Sequence, residues 1–382
     1  MRTLTGASVP VLVWARSLDA GTERQLLALA SRPWVVDHIA AMPDAHVAEG
    51  VAVGTVFATR RDVVPAALGG DLGCGMGAVR FEYPAARLDR RALERAVAML
   101  SGAIPLGDAV HRRGVPVPDA LFADALATRA LERARERMAP RHLGTLGGGN
   151  HFVELDRGAD GALWAVYHSG SRGLGAAISA HHQRVATSLA GGAPGLAALS
   201  LCTPEGEACL ADLAWAERFA RANRERLRER VLEVVHDLTG CAPTEGAGGD
   251  VPHNHVRVEE HQGEPRVVHR KGATCALEGH WGIIPGSMGT ATYIVRGRGH
   301  PHAFGSCSHG AGRVLTRREA RAKISPEALA QALRRVVYDP RKTRDLVEEA
   351  PGAYRDLREV LEDQADLVEP VLRLEPIAVV KG

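Results

Sequence analysis

Aromatic residues are scarce: Phe, Trp and Tyr together supply 4% of the 382 residues. That scarcity argues against a binding mode built on many stacked bases. Net charge is nearly absent as well, at +2 from 47 basic and 45 acidic residues. Such a balance neither demands nor excludes a nucleic-acid partner. No apolar run approaches the length of a membrane span, and the amino terminus MRTLTGASVPVLVWARSLDA lacks a cleavage-site pattern. A cytoplasmic protein without a membrane partner is therefore expected. The six cysteines (74, 202, 209, 241, 275 and 307) never form a C-x-x-C pair, so no disulfide framework is expected.

Glycine (42) and histidine (17) are the informative residues, and four of the seven residues over 69–75, Gly69-Gly70-Asp71-Leu72-Gly73-Cys74-Gly75, are glycine. Glycine lets the backbone turn tightly around whatever it encloses. Asp71 and Cys74 on that turn offer a carboxylate and a thiolate, half of a transition-metal site. Strand-like MGAVRFEY (76–83) follows, so both ligands would sit at a strand entrance.

Short buried strands are also expected at 9–14 and 51–57, with 41–50 between them as a polar turn carrying Asp44 and His46. Helical spacing covers 88–101, 119–139, 176–190 and 212–239, the last read as a surface helix laced with salt bridges. The Gly/Ala/Pro stretch 191–206 reads as a surface connection. A hairpin is expected at 255–260 and 265–270, and short strands joined by glycine turns over 281–299 and 304–313. Helices at 325–337, opened by Ser325 and Pro326, and at about 353–366 precede a final strand. There is no internal repeat and no clear linker. The expected architecture is α/β, with central mixed β-sheets flanked by helices in one interleaved domain over 1–382.

His151, His168, His253 and His309 each lie in glycine- or asparagine-rich company at strand ends, where sites collect. Together with Asp71 and Cys74 they read as a metal centre for Zn, Mn, Fe or Co. The loose spacing lacks the compact pattern of a structural zinc finger. A thiolate has lone pairs enough to bridge two ions, and two ions suit phosphoryl chemistry. In SCSHGAGR (306–313) the small residues would let a nucleotide approach, and Arg313 can neutralise phosphate oxygens. On chemistry alone His309 fits three roles equally: nucleophile, metal ligand or general acid/base.

The strings MPDAH (42–46), GGDLGCGMGAVR (69–80), LGTLGGGNHFVEL (143–155), YHSGSRGLG (167–175), HNHVRVEEH (253–261), HRKGA (269–273), GIIPGSMGTATYIVRG (282–297), SCSHGAGR and the terminal VVKG follow one another in order. This series resembles the RtcB-type RNA-splicing ligases over essentially the whole chain. The resemblance implies a GTP- and Mn(II)-dependent ligase, acting in tRNA splicing or RNA repair. Such an enzyme joins an RNA 3′-phosphate or 2′,3′-cyclic phosphate to a 5′-hydroxyl. It implies that Asp71, Cys74 and His151 hold one ion, and that Cys74 is shared with a second held by His168 and His253. His309 would become guanylylated. The guanosine nucleotide would lie along Asn150, His151, Phe152, Val153 and Glu154, then His253 and Asn254, then Pro285, Gly286, Ser287 and Met288. Thr292, His309, Gly310, Ala311, Gly312, Arg313 and Lys381 would complete its surroundings.

Glu154 is the candidate for choosing GTP over ATP, because a carboxylate accepts from the guanine N1–H and exocyclic amine. Two positions depart from the family pattern. Ala48-Glu49 stands where a glycine and often a basic residue are usual, so RNA choice is expected to differ. Thr292 replaces a common serine. The competing expectations are a metal-dependent RNA-end phosphoesterase that does not ligate, and a non-catalytic RNA-binding protein. Whether an activating protein partner is required stays open.

Overall fold

The computed structural model describes residues 1–192 and 195–382. Among them, a six-stranded sheet runs in the order β1 (Arg2–Leu4), β2 (Val11–Val13), β3 (Val35–His46), β4 (Val53–Thr59), β12 (Glu264–Lys271) and β11 (Asn254–His261). Its β2–β3 pair is parallel and the others are antiparallel. A seven-stranded antiparallel sheet has the order β10 (Pro243–Pro252), β6 (Gly75–Pro84), β8 (Ala162–Ser169), β7 (Phe152–Gly158), β17 (Val368–Lys381), β15 (Thr292–Gly297) and β14 (Trp281–Pro285). Two short ladders join β13 (Ala273–Cys275) to β16 (Ser306–Ser308) and β5 (Asp62–Val63) to β9 (Leu199–Ser200). The α/β class with mixed sheets is as expected from sequence.

The main helices are α1 (Ala20–Ala30), α2 (Arg90–Ala103), α3 (Arg129–His142), α4 (Arg172–Leu189) and α5 (Pro204–Thr239). Leu93, Val97 and Leu100 of α2 and Leu227 and Val231 of α5 share one core with Phe81, Leu163 and Val380 of the seven-stranded sheet. A second core joins β3, β4 and β12 to the late helix Leu357–Asp363 through Met42, Val56, Val268 and Leu361.

Several boundaries differ from the sequence reading. Residues 41–46 are not a polar turn; they continue β3, and Asp44 is fully buried. The helix expected at 119–139 begins only at Arg129, because Thr128 caps it by accepting from the Leu131 N–H. The connection expected over 191–206 ends early, since Thr203 and Pro204 start α5; residues 193 and 194 lie outside the described residues. Helix 325–337 stops at Ala332. The salt-bridged surface of α5 is present in the pairs Arg226–Glu229, Arg228–Glu225 and Arg230–Glu233, but its other face is buried: Asn223 and Arg224 are 0% and 1% exposed.

Register brings the predicted residues to one end of the larger sheet. Lys381 pairs with Phe152, Phe152 with His168, and His168 with Met76. Asn254, directly after His253, opens β11 opposite Lys271. The ends of both sheets thereby face one cavity.

Candidate metal and nucleotide site

The turn 69–75 works because Gly73 takes φ +67°, and a Cβ there would lie 2.6 Å from the Glu217 Cα of α5. Its hairpin-like path presents Cys74 directly before β6. Cys74 Sγ lies 3.3 Å from His151 Nε2 and 3.2 Å from His168 Nε2. His168 Nε2 lies 3.3 Å from His253 Nε2, and His151 Nε2 lies 2.9 Å from Asp71 Oδ2. Two trios result, Asp71–Cys74–His151 and Cys74–His168–His253, with Cys74 common to both.

The hydrogen-bond pattern around them fits metal ions. His151 Nδ1 donates to the Leu146 carbonyl at 2.8 Å and His168 Nδ1 to the Asn150 carbonyl at 3.1 Å. Their Nε2 atoms are therefore bare lone pairs aimed at the same sulfur, an arrangement a cation stabilises. Burial, with charge from neighbouring histidines, drives His168 and His253 well below the usual imidazole range, which favours their neutral form. Burial pushes the Cys74 thiol up, and Asp71 adds to that effect. Asp71 itself is raised by burial but held low on balance by the charge and hydrogen bond of His151. A divalent ion would displace the thiol proton, as binding to cysteine requires.

His309 follows β16 beside this cradle, its ring 4.8 Å from that of His253. Its Nδ1 donates to Asp44 Oδ2 at 2.7 Å, and its backbone N–H reaches the same oxygen at 3.2 Å. Gly312, at φ +74°, allows this approach, since a Cβ there would fall 2.4 Å from the Asp44 carbonyl oxygen. The Nε2 of His309 is left free on the cavity side.

The cavity encloses about 310 Å³. Of the predicted residues, Asn150, Phe152, Glu154, His253, Asn254, Pro285, Gly286, Ser287 and Met288 line it. So do His309, Gly310, Ala311, Gly312, Arg313 and Lys381, with Asp71, Cys74 and His168 at the metal end. His151 sits behind Asp71 and Cys74. Val153 does not join them: alternation along β7 turns its side chain into the core with Leu155 and Leu163. Thr292 is likewise 1% exposed at the start of β15 and outside the wall.

Sequence reasoning passed over Lys271, Arg317, Glu349 and Tyr354, which also line the cavity. Lys271 Nζ donates to the Glu49 and Val51 carbonyls, each at 2.6 Å, and burial lowers it to about 8. Glu349 accepts from Lys381 Nζ at 3.0 Å, Arg313 Nη1 at 3.2 Å and the Tyr354 hydroxyl at 2.6 Å. Burial opposes the effect, but Lys381, Tyr354 and Arg313 hold Glu349 down at about 2. Glu154 is raised by burial and by Asp156, two residues along the same strand face, whose oxygens have no hydrogen-bond partner. Nothing in the local sequence around Glu349, an acid pair followed by Ala350 and Pro351, distinguishes it from an ordinary surface carboxylate.

An α/β frame that gathers two ligand trios around one thiol, beside a histidine oriented by a buried carboxylate, defines a candidate two-metal enzyme. The family model described as tRNA-splicing ligase RtcB matches residues 25–120 and 119–382. The chain belongs to the RtcB family of RNA-splicing ligases. It is 36% identical to the Escherichia coli RNA-splicing ligase RtcB over 406 residues, covering 99% of each chain. Against the Mycobacterium tuberculosis RNA-splicing ligase RtcB, identity is 35% over 437 residues, covering 94% of this chain and all of the relative. No helix among the described residues is long and apolar enough to cross a membrane.

Proposed function

We propose that this chain is a GTP-dependent ligase joining an RNA 3′-phosphate or 2′,3′-cyclic phosphate to a 5′-hydroxyl through a histidine-bound GMP. Residues 1–382 act as one catalytic unit. The observation that carries the reading is the His309–Asp44 pair. With Nδ1–H donated to Asp44, the Nε2 lone pair faces the cavity beside the metal ligands, as a nucleophile toward phosphorus requires. Asp44 fixes the tautomer and stabilises the cation that forms on the ring.

His309 Nε2 attacks the α-phosphorus of GTP; an N–P bond forms, the bond to the β-phosphate oxygen breaks, and pyrophosphate leaves. An oxygen of the RNA 3′-phosphate then attacks the same phosphorus, and the N–P bond breaks to give an RNA 3′-pp-5′G end. Finally the 5′-hydroxyl attacks the RNA phosphorus, its proton is lost, and GMP departs as the phosphodiester closes. A 2′,3′-cyclic phosphate first adds water to become a 3′-phosphate. Asp71, Cys74 and His151 would hold one Mn(II) and Cys74, His168 and His253 the other. When bound, these ions supply Lewis-acid neutralisation of the phosphate oxygens.

Phe152 offers a ring face to the base, and Glu154 accepts from the guanine edge. Lys381, 6.0 Å from the Phe152 ring centroid, can leave Glu349 to meet the base. Arg313 is held by Glu349 and the Leu315 and Glu348 carbonyls and shapes the wall behind the ribose and phosphates. Incubation with α-labelled GTP and Mn(II) tests the proposal. Acid-labile label is expected on wild type and not on His309→Ala. Label on both, or on neither, overturns it; metal-dependent opening of cyclic phosphates without GTP would instead identify a phosphoesterase.

A further inference from the structure

Asn223 and Arg224 lie outside the cavity, yet between them they hold every loop that carries a ligand of the cradle except the short segment at His253 itself. Asn223 Oδ1 accepts from the backbone N–H groups of Gly144 at 2.7 Å and Thr145 at 3.1 Å. Its Nδ2 lies within reach of the Thr145 carbonyl at 3.1 Å, Ser169 Oγ at 3.0 Å and the Gly170 carbonyl at 3.1 Å. Ser169 Oγ donates to the Leu146 carbonyl at 2.8 Å, the same oxygen that receives His151 Nδ1–H. Asn223 thus fixes the loop that decides which nitrogen of His151 is bare.

Arg224 reaches different groups. Its Nη1 donates to the Gly73 carbonyl at 2.8 Å and the Ser169 carbonyl at 3.0 Å, each adjacent in sequence to a ligand, Cys74 and His168. The rest of its planar fork grips Asp250 through Nη2 at 2.8 Å and Nε at 2.5 Å. Asp250 lies on β10, which ends directly before His253, whose N–H donates to the Cys74 carbonyl at 2.8 Å. A guanidinium is the side chain that can satisfy two carbonyls and a carboxylate at once in fixed directions.

We propose that Asn223 and Arg224 are positioning residues with divided duties. Asn223 sets the Asp71–Cys74–His151 trio through the His151 loop, and Arg224 sets the Cys74–His168–His253 trio through Ser169 and Asp250, its bond to Gly73 steadying the shared Cys74. The inference rests on the two trios binding divalent cations, and does not need the ligation step.

The test is titration of the full chain with Mn(II), following free aqueous manganese by electron paramagnetic resonance. Wild type is compared with Asn223→Ala, Arg224→Lys and Asp250→Asn, with His151→Ala and His253→Ala as references for loss of one trio each. Groups that orient metal ligands change affinity by about 10- to 100-fold. Asn223→Ala is expected to weaken by that factor the class of site that His151→Ala removes, and to weaken the other class less. Arg224→Lys and Asp250→Asn are expected to do the same to the class that His253→Ala removes. Asp250→Asn touches a partly exposed carboxylate and creates no internal void, so it carries the Arg224 half of the test if the buried variants fail to fold. Equal weakening of both classes by these variants, or no change in folded variants, overturns the division. Site-selective weakening in a protein that never accepts label from GTP would leave this inference standing and remove the ligase reading alone.

Discussion

The two ends of the cavity solve opposite electrostatic problems. At the metal end, Sγ and three Nε2 atoms crowd together, and burial drives His168 and His253 toward the neutral form. At the base end, charges are matched inside the protein: Glu349 is met by Lys381, Arg313 and Tyr354 at once. On the proposed reading, a ligand that brings positive charge would complete the first end. The other is complete already, so a nucleobase bound there would have to exchange partners with the protein. The difference teaches that affinity for a cation at the metal end would come from relieving an unfavourable arrangement, whereas the base end would trade one satisfied contact for another and gain selectivity.

The sharpest way to break the comparison is Cys74→Ser, whose hydroxyl stays protonated at neutral pH. Loss of several kcal/mol of charge stabilisation predicts about 10³-fold slower guanylylation. Mn(II) at about a hundred times its Kd should stabilise wild type by about 2.7 kcal/mol and this variant far less, read by thermal unfolding. Normal label transfer would remove the shared-thiolate arrangement.

Glu349→Gln probes the other end. Leaving buried cations without their carboxylate is expected to cost on the order of 3 kcal/mol near pH 7. Because the folded Glu349 carboxyl sits at about 2, below its unfolded value of about 4.3, its contribution is fully present above that unfolded value. It is lost as pH falls toward the folded one. Urea unfolding from pH 7 to pH 3 should therefore show the gap between wild type and variant shrinking only at the acid end. A gap independent of pH would mean that the pair is not ionic.

The smallest effect is expected at Thr292, buried but outside the cavity wall. Thr292→Ser removes one methyl, costing about 1 kcal/mol of stability, and should leave GTP affinity within about two-fold, as expected of a site outside direct contact. A tenfold loss measured by calorimetry would return this residue to the nucleotide's surroundings.

Much of the metal end was readable from the chain, because glycine turns and strand entrances are local features: Asp71 and Cys74 sit where the sequence put them. The base end was less so. Glu349 gave no local signal, and its partner Lys381 lies 32 residues away. Helical periodicity also misled at Asn223 and Arg224, where an Arg- and Glu-rich run suggested a solvated face.

By itself the sequence determined which residue types were available as ligands and nucleophile, where the backbone could turn, and which family the motifs resemble. Only the tertiary structure decided that Asp44, 265 residues from His309, orients its ring, that Val153 turns away while Glu154 faces inward, and that one buried turn of α5 backs the cradle. The physical reason is that periodicity and turn chemistry report the faces of an element, whereas what packs against each face depends on register and long-range pairing that no local pattern encodes.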